Sequence, residues 1–450
     1  MGRVTGRILY TGSVMEETPP IIVRPPAVRP LRERVLTALL LGVRALATIM
    51  QRVPALPADP CRILVIKPCC LGDVLLTTPA LAALRARYPR SIIHYAVGRY
   101  AAPAIEYHPD VGRLLVYGAG GGRDWRSMLA LWRRMRAGRY DACLVLERSP
   151  LFATLPLLAG IPARAGIDSA GRGFALNLRV PWDESLHEAD LYLSVAGALG
   201  CPTGGHRLRF VPGPEAETQV EALWLLHSLP TGSDVGAPVQ DAPRAQRAHP
   251  SAAAGTHDPR RPVIAIAPGG GTNPGMDLPE KRWPAERFAA LAGRLRAELD
   301  ATIVLLGGPA DRPLCADVAA LIDGPSLDLS GDAPLAERGA LLRRCTLYVG
   351  NDSGPTHLAV AVGCPTVAVF GPTSVALYGP YHATARAVHR DLPCSPCFVH
   401  GHFPPCPNRH ACMRGLPVEA VLDACRAVLA DSGSESRTPL LHAMAPQSQA

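Results

Sequence analysis

Four glycine-rich segments place hydrogen-bonding groups directly after apolar runs of the chain. They are 268–271 (PGGG), 307–309 (GGP), 351–354 (NDSG) and 371–374 (GPTS). Each preceding run predicts a buried parallel strand, so the four turns are expected at one edge of a sheet. Glycine turns and helix starts present free backbone N–H groups, which favour anions. Helix capping alone does not explain four converging turns, and we predict a phosphate or nucleotide site.

The segment NDSGPTHLA (351–359) also predicts the start of a helix. Asp352 or Ser353 is expected to cap this helix, with Pro355 in its first turn. Gly354 would let a ligand approach the backbone closely. None of the four segments is a Walker loop or a G-x-G-x-x-G motif, which disfavours ATP hydrolysis and Rossmann-type redox chemistry.

Repeated strand–turn–helix units must position these turns. RILVIK (62–67), the helical pattern of 74–88 and SIIHYAVG (91–98) form a βαβ unit, and a second α/β run begins at 263. We therefore predict an α/β fold with two doubly wound Rossmann-like domains facing a central cleft. The expected divisions are a Pro-rich leader (1–55), an N-terminal domain (56–227), a linker or insertion (228–262), a C-terminal domain (263–430) and a disordered tail (431–450).

The composition indicates a folded protein with an excess of positive charge. Of 450 residues, 48% are hydrophobic and 19% are charged, and the net charge is +8. This charge suits an anionic partner such as a phosphate ligand, an acidic lipid headgroup or a nucleic acid, or it reflects Arg-rich codon usage. The apolar run 35–50 contains Arg44 and is too short to span a bilayer. We expect a helix that lies at a membrane surface or packs on the domain.

Of the 13 cysteines, four near the C-terminus have distinctive spacing. Cys394, Cys397, Cys406 and Cys412 are interspersed with histidines in a pattern typical of zinc ligands. A disulfide-stapled loop and free thiols are the alternatives. Most other cysteines lie in apolar runs and predict core residues in a reducing compartment.

Several separate stretches, spanning residues 62 to about 430, resemble the ADP-heptose:lipopolysaccharide heptosyltransferases of glycosyltransferase family 9. These are ILVIKPCCLGDVLLTTPALAALRARYP, IAIAPGGGTN with KRWPAERFAALAGRL, LLGGPADR, LYVGNDSGPTHLAVAVGCPTVAVFGPTS and the cysteine-rich CSPCF segment. The resemblance implies a GT-B fold and an inverting transfer of a heptose, or a related sugar, from an ADP-sugar to a lipid-linked glycan. It also implies a cytoplasmic enzyme, peripheral at the inner face of the membrane, with no nucleic-acid partner.

The resemblance assigns the chemistry to both sides of the cleft. Asp73, after Gly72 in the family's G-D motif, would be the general base on the acceptor hydroxyl, and both residues would contact the acceptor. Lys281 of the K-x-W-P motif would contact the donor diphosphate and stabilise the leaving group, with Arg282 able to share this role. No suitable Asp-x-Asp motif is present, so we expect no required cofactor.

The remaining candidates would hold the donor. Asp352, Ser353, Gly354 and His357 would bind its sugar and phosphates. Gly269, Gly270, Gly271 and Thr272 would approach the nucleotide, and Thr373 and Ser374 the diphosphate or the acceptor.

Two alternatives stay open at this point: another GT-B sugar-nucleotide enzyme, and a non-catalytic sugar-nucleotide-binding protein. A binding protein needs no base, so Asp73 argues against the second. The chain departs from the common family pattern at Cys69–Cys70, where small polar residues are usual, and in its long connector.

Overall fold

The computed structural model describes residues 7–9, 21–22, 31–50, 57–118, 125–229, 261–273, 276–398 and 403–434. Most of the predicted leader, most of the connector and the tail after residue 434 lie outside the described residues.

Helices and strands alternate along both halves of the chain. The first half contains β1 (Arg7–Leu9), α1 (Leu31–Met50), β2 (Arg62–Ile66), α2 (Leu71–Leu76), α3 (Thr78–Arg87), β3 (Ile92–Gly98), β4 (Arg113–Tyr117), α4 (Trp125–Gly138), β5 (Ala142–Val145), α5 (Pro150–Leu158), β6 (Ala163–Asp168), β7 (Leu178–Pro181), α6 (Glu188–Gly197) and α7 (Pro214–Leu226). The second half contains β8 (Val263–Ala267), β9 (Thr272–Asn273), β10 (Met276–Asp277), α8 (Ala285–Leu299), β11 (Thr302–Leu305), α9 (Arg312–Leu321), β12 (Leu327–Asp328), α10 (Leu335–Arg344), β13 (Leu347–Asn351), α11 (Gly354–Ala361), β14 (Thr366–Val369), α12 (Val375–Tyr378), β15 (Arg386–His389), α13 (Ala411–Arg414) and α14 (Val418–Ser434).

Two parallel sheets form the predicted doubly wound domains. The N-terminal sheet has the order β4-β3-β2-β5-β6-β7, and the C-terminal sheet has the order β1-β15-β14-β13-β8-β11-β12. A short antiparallel pair, β9 and β10, lies beside the C-terminal sheet's glycine loops. The α/β prediction with two Rossmann-like domains is confirmed.

Alternating side chains of the central strands explain why these runs are continuously apolar. In β2, Ile63 and Val65 join one core cluster, whereas Leu64 and Ile66 join another on the opposite face. A strand buried on both faces needs apolar residues at every position. The first of these clusters also includes residues of β8, so one apolar core continues from one domain into the other.

Three local features differ from the sequence-based expectation. The helix expected over 74–88 is two helices, α2 and α3, divided at Thr77, with Pro79 in the first turn of α3. The helix α7, expected in the N-terminal domain, packs on α10 of the C-terminal domain, where Glu217 pairs with Arg343. Within the predicted leader, Arg7–Leu9 pairs with β15 at the sheet edge.

The helix α1 packs on the N-terminal domain along one narrow stripe. Arg44 pairs with Asp168 at 3.1 Å, and Arg179 donates a hydrogen bond to Thr48 Oγ1 at 2.8 Å. Its apolar side chains remain largely exposed; they are Val35, Leu36, Leu39, Leu41, Val43, Leu46 and Ile49. Among the described residues, no helix combines the length and the apolar character needed to cross a bilayer.

Candidate active site

Each sheet reverses its winding direction at a point where a ligand crevice is expected. In the N-terminal sheet the chain runs outward from β2 through β3 to β4 and then returns to β5 on the other side. In the C-terminal sheet the corresponding reversal lies between β8 and β13. The carboxyl ends of strands at such a reversal form the ligand-binding crevice of open α/β sheets. The candidate residues of both domains lie at these two reversals.

At the N-terminal reversal, a buried lysine holds the candidate base. Lys67 follows β2, and its Nζ lies 3.2 Å from Asp73 Oδ2 and 3.6 Å from Glu147 Oε2, which follows β5. The Lys67 side chain is only 5% exposed, whereas Asp73 is 35% exposed. The Asp73 carboxylate therefore reaches solvent while its inner oxygen is fixed by a cation. The sequence motifs point to neither Lys67 nor Glu147 as a site residue.

A second acidic layer lies behind this pair on α6. Tyr192 donates a hydrogen bond to Glu188 Oε1 at 2.7 Å, and Lys67 Nζ lies 5.3 Å from the centre of the Tyr192 ring. Burial raises the pKa of Glu188. Burial alone would lower the pKa of Lys67, but the nearby acidic groups Tyr192, Asp73, Glu147 and Glu188 hold it well above its ordinary value. Lys67 is therefore a permanent cation beside Asp73.

At the C-terminal reversal, Asn351 ties together the loops that surround the crevice. Its Nδ2 donates to the carbonyls of Pro268 and Gly269 at 2.7 and 3.0 Å, and its Oδ1 accepts from Trp283 N at 3.0 Å. Asn351 is completely buried. The glycine loop and the K-x-W-P segment are thus fixed relative to β13 by one side chain. Asn351 belongs to the NDSG segment, but its position there does not reveal this bridging role.

The predicted donor cation is paired with the predicted donor carboxylate. Lys281 Nζ lies 2.6 Å from Asp352 Oδ2, and Thr373 Oγ1 donates to the same oxygen at 2.6 Å. Three of the loops at the sheet edge therefore meet at Asp352. Arg282 points instead to the glycine loop, where it donates to the Gly270 carbonyl at 2.9 Å and to Thr272 Oγ1 at 3.1 Å.

The glycines of the first loop are required by close contacts within the protein. A Cβ at Gly269 would overlap the Asp311 carboxylate, and one at Gly270 would lie 2.6 Å from Ser353 Cβ. Gly270 and Gly271 also have positive φ values of 103° and 79°. Asp311 closes the neighbouring loop by accepting a hydrogen bond from Gly308 N at 2.8 Å. The four predicted turns follow β8, β11, β13 and β14, which are consecutive in the sheet.

His357 lies where the two domains meet. A Cβ at Gly72 would come within 2.8 Å of His357 Cδ2 and 3.4 Å of Gly354 Cα, so α2 and α11 are in direct contact. Burial lowers the pKa of His357 to about 4, and the charges of Asp352, Asp73 and Lys281 all act on it. The candidate residues of both domains therefore converge around one buried imidazole.

Several local expectations differ from the structure. Ser353 is the N-cap residue of α11, but neither it nor Asp352 makes the expected capping hydrogen bond; Ser353 Oγ donates to the Asn351 carbonyl instead. Gly354 lies beside α2, where an added Cβ would be 3.6 Å from Gly72 N and from Leu71 Cβ, and its contact with a ligand stays a prediction. Thr373 is buried against Asp352, and Ser374 caps α12 by accepting from Leu377 N.

The C-terminal cysteines lie near one another, and none of them forms a disulfide. Burial, together with the nearby Cys397 and Cys406, raises the pKa of Cys412 to about 11. Within the described part of the chain, no group of three or more His, Cys, Asp or Glu side chains is placed to hold a metal. His400 and His402 lie outside the described residues. The zinc site therefore stays a prediction.

Comparison with known proteins shows which family the chain is similar to. The model of glycosyltransferase family 9 (heptosyltransferase) matches residues 213–405. Lipopolysaccharide heptosyltransferase 2 of Escherichia coli K12 is 28% identical over 334 residues, which cover 73% of this chain and 87% of the relative. Lipooligosaccharide heptosyltransferase 2 of Haemophilus influenzae is 26% identical and covers 69% of this chain and 84% of its own length.

Solved structures share the same architecture. A family 9 glycosyltransferase from Veillonella parvula superposes with a TM-score of 0.64 at 24% identity, over 83% of this chain and 98% of the other. The E. coli ADP-heptose lipopolysaccharide heptosyltransferase II superposes with a TM-score of 0.61 at 24% identity, over 83% of this chain and 100% of the other. The fold, the matched segment and the relatives agree: the chain is a glycosyltransferase with the GT-B fold, and it is similar to the heptosyltransferases of glycosyltransferase family 9.

Proposed function

We propose that the protein transfers a heptose from ADP-heptose to the core of a lipopolysaccharide, with inversion at the anomeric carbon. The names of its relatives supply the substrates, since these relatives are lipopolysaccharide or lipooligosaccharide heptosyltransferases. The observation that carries the chemistry is the convergence of Asp73 and the Lys281–Asp352 pair on His357. A base and a leaving-group cation on opposite domains are what a direct displacement requires.

In this proposal Asp73 accepts the proton of the acceptor hydroxyl as its oxygen attacks the anomeric carbon. The bond between that carbon and the diphosphate oxygen breaks, and the attack from the opposite side inverts the configuration. Lys67 does not reach the acceptor; it fixes one oxygen of Asp73 and leaves the other for the proton. Asp73 is thus a catalytic residue and Lys67 a positioning residue.

Negative charge develops on the diphosphate as the bond breaks. Lys281 is the nearby cation, and the N-terminus of α11 adds the positive end of a helix dipole. In the described conformation Lys281 is neutralised by Asp352, so the donor must share or displace this contact. We propose that Lys281 provides the charge without a required metal cofactor, so transfer should persist in EDTA.

We also propose that α1 holds the enzyme at an anionic membrane surface, where a lipid-linked acceptor is concentrated. The support is the exposed apolar face of α1, the exposed Arg34 beside it and the net charge of +8. Such an enzyme would work at the cytoplasmic face of the inner membrane.

A transfer assay tests the proposed reaction. Purified protein is given ADP-heptose and a heptose-deficient lipopolysaccharide core, and the product is analysed by mass spectrometry and by the NMR coupling of its new anomeric proton. Donors with UDP and GDP serve as controls. Inverted product from ADP-heptose supports the proposal, whereas transfer only from another nucleotide sugar contradicts the donor assignment.

Two variants separate the proposed roles. Asp73→Asn should reduce kcat by at least about 10³-fold while ADP affinity changes less than about threefold, since the base lies outside the donor site. Lys281→Ala should weaken ADP binding by about 10- to 100-fold, with a smaller loss at high salt. Retained turnover by Asp73→Asn, or unchanged ADP affinity of Lys281→Ala, would remove the respective assignment.

A further inference from the structure

Two adjacent cysteines lie on the turn that leads to the candidate base. Cys69 is exposed and Cys70 is half-buried, and the Cys70 thiol donates a hydrogen bond to Cys69 Sγ at a distance of 3.4 Å. Both residues precede α2, the helix that carries Asp73 in its first turn. The two sulfurs are thus close together, and the proposed reaction gives neither thiol a role.

The backbone holds the two thiols on the same side of the turn. Cys70 has φ of 68°, a left-handed conformation that is uncommon for a residue with a side chain. Its carbonyl accepts the hydrogen bond of Val74 N at 3.0 Å, which fixes the turn to the start of α2. The pair is therefore preorganised, unlike the fully buried Cys143 and Cys425, which lie in the core.

Paired thiols at this distance are ligands for a soft, thiophilic centre. The thiolate is the reactive form, and the hydrogen bond from Cys70, with the charge of Lys67, lowers the pKa of Cys69. A trivalent arsenic oxide would react with both residues. Each thiol loses its proton, two S–As bonds form, the As–O bond breaks, and the oxygen leaves as water without a change in oxidation state.

We propose that Cys69 and Cys70 form a binding site for trivalent arsenicals and similar thiophilic reagents, and that its occupation blocks the acceptor side of the active site. The site lies on the exposed side of the turn, and Gly72, two residues later, already contacts His357 of the other domain. Arsenic would bridge the two sulfurs, and its aryl substituent would lie beside Asp73 and leave no room for an acceptor. The blocking half of this proposal rests on the proposed function, whereas the binding half does not.

The test uses the full chain and phenylarsine oxide. Peptide mapping by mass spectrometry locates the adduct, and turnover is compared with that of the untreated protein. The wild type should form an adduct that bridges Cys69 and Cys70, and its activity should fall by more than about tenfold. 2,3-Dimercaptopropanol should restore the activity, because a dithiol competes for both As–S bonds, whereas an equal concentration of a monothiol should not.

Matched variants identify the site. Cys69→Ser and Cys70→Gly should each prevent the bridged adduct. After treatment with phenylarsine oxide, each variant should keep at least half of the turnover that it has untreated. Glycine is chosen at position 70 because it suits the left-handed φ there. Cys61→Ser and Cys397→Ser should remain as sensitive as the wild type, since these cysteines lie elsewhere. An adduct on the C-terminal cysteines alone, or full inhibition of Cys70→Gly, would overturn the binding site. An adduct on the pair with unchanged turnover would overturn the blocking. A protein that lacks transferase activity but forms the adduct would contradict the proposed function and leave the binding site standing.

Discussion

At the scale of single residues, the active-site side chains are fixed by partners that a linear motif does not show. Asp73 pairs with Lys67, which precedes it by six positions, and Lys67 in turn pairs with Glu147, which follows a different strand. Asp352 is held by Lys281 and Thr373 from two other loops. The same ion pairs set the electrostatics of the proposed base and of the proposed phosphate site.

Removing the cation of Lys67 and removing the anion of Glu147 should shift the pH profile of transfer in opposite directions. In Lys67→Met, loss of the cation disfavours the ionised base, so the acidic limb of the kcat/KM profile should move up by about 1 pH unit. In Glu147→Gln, loss of an anion should move that limb down. Glu188, Tyr192 and His357 also face this cluster and are unchanged in both variants.

Lys67→Arg is the conservative control and should keep the wild-type profile more nearly than Lys67→Met. Melting curves separate misfolding from an electrostatic effect, since a merely structural defect changes the amount of active enzyme but not the pH of the limb. Identical pH profiles for Lys67→Met and Glu147→Gln would show that Lys67 does not control the base.

The buried imidazole of His357 predicts an acid-sensitive fold. Its pKa is about 4 in the folded protein, against an ordinary value near 6.5 in the unfolded chain. Between these values the unfolded state binds more protons, so stability falls as the pH is lowered from about 6.5 towards 4. At pH 5 this one group should account for a loss of about 2 kcal/mol relative to pH 7.

Urea unfolding of the wild type and of His357→Gln at pH 7 and pH 5 measures this effect. The variant should lose about 2 kcal/mol less than the wild type over that interval. His108, whose pKa burial also lowers to about 4, lies in the N-terminal domain and provides a matched second histidine. An equal pH dependence in His357→Gln and the wild type would contradict the neutral, buried state of His357.

At the scale of elements, strand polarity can be predicted from the sequence, whereas packing between distant elements cannot. The four glycine turns are expected at one edge because parallel strands end on the same side, and β14-β13-β8-β11 places them side by side. The proximity of Lys67 and Glu147 cannot be predicted, because it depends on the order of the strands in the sheet, which local periodicity does not show. The contact of α2 with α11, where Gly72 and Gly354 lie side by side, likewise joins two distant helices and has no local pattern.

The exposed apolar side chains of α1 allow its proposed membrane contact to be tested. Arg44 of this helix pairs with Asp168 and so contributes to packing on the domain, but Leu39 and Leu46 remain 63% and 59% exposed. Leu39→Asp with Leu46→Asp should reduce flotation with anionic liposomes by at least about fivefold, because two charges would have to enter the acyl boundary. Melting temperature and activity on a delipidated acceptor should change little.

The matched control is Leu226→Asp, which introduces the same charge at a leucine that is 79% exposed on α7. It should float like the wild type. Point substitutions are preferable to removing the first 55 residues, because that truncation also deletes β1 from the C-terminal sheet. Unchanged flotation of the α1 variant would leave packing on the N-terminal domain as the role of this helix.

At the scale of the whole molecule, catalysis depends on how closely the two domains approach one another. The contact of α2 with α11 sets the distance between Asp73 and the Lys281–Asp352 pair. Two further hydrogen bonds join the domains. Tyr381 donates to Asp190 Oδ1 at 2.6 Å, and His187 Nε2 donates to the Gly379 carbonyl at 2.9 Å. The shared apolar core below these contacts resists their separation.

Gly72→Ala should separate the domains by a small distance and impair transfer. The new methyl group would lie 2.8 Å from His357 Cδ2 and 3.4 Å from Gly354 Cα, and the second of these atoms is backbone that cannot rotate away. A displacement of Asp73 towards 1 Å can cost about 10²-fold in rate, since the reacting atoms must be held in register. We therefore expect kcat/KM to fall by about 10- to 100-fold, with ADP affinity nearly unchanged because the donor loops belong to the other domain.

Gly293→Ala is the matched control: no atom lies within 4 Å of its added Cβ in the middle of α8, so it should keep full activity and gain stability of about 1 kcal/mol. If Gly72→Ala transfers heptose as fast as Gly293→Ala, the closeness of α2 and α11 does not control the reaction.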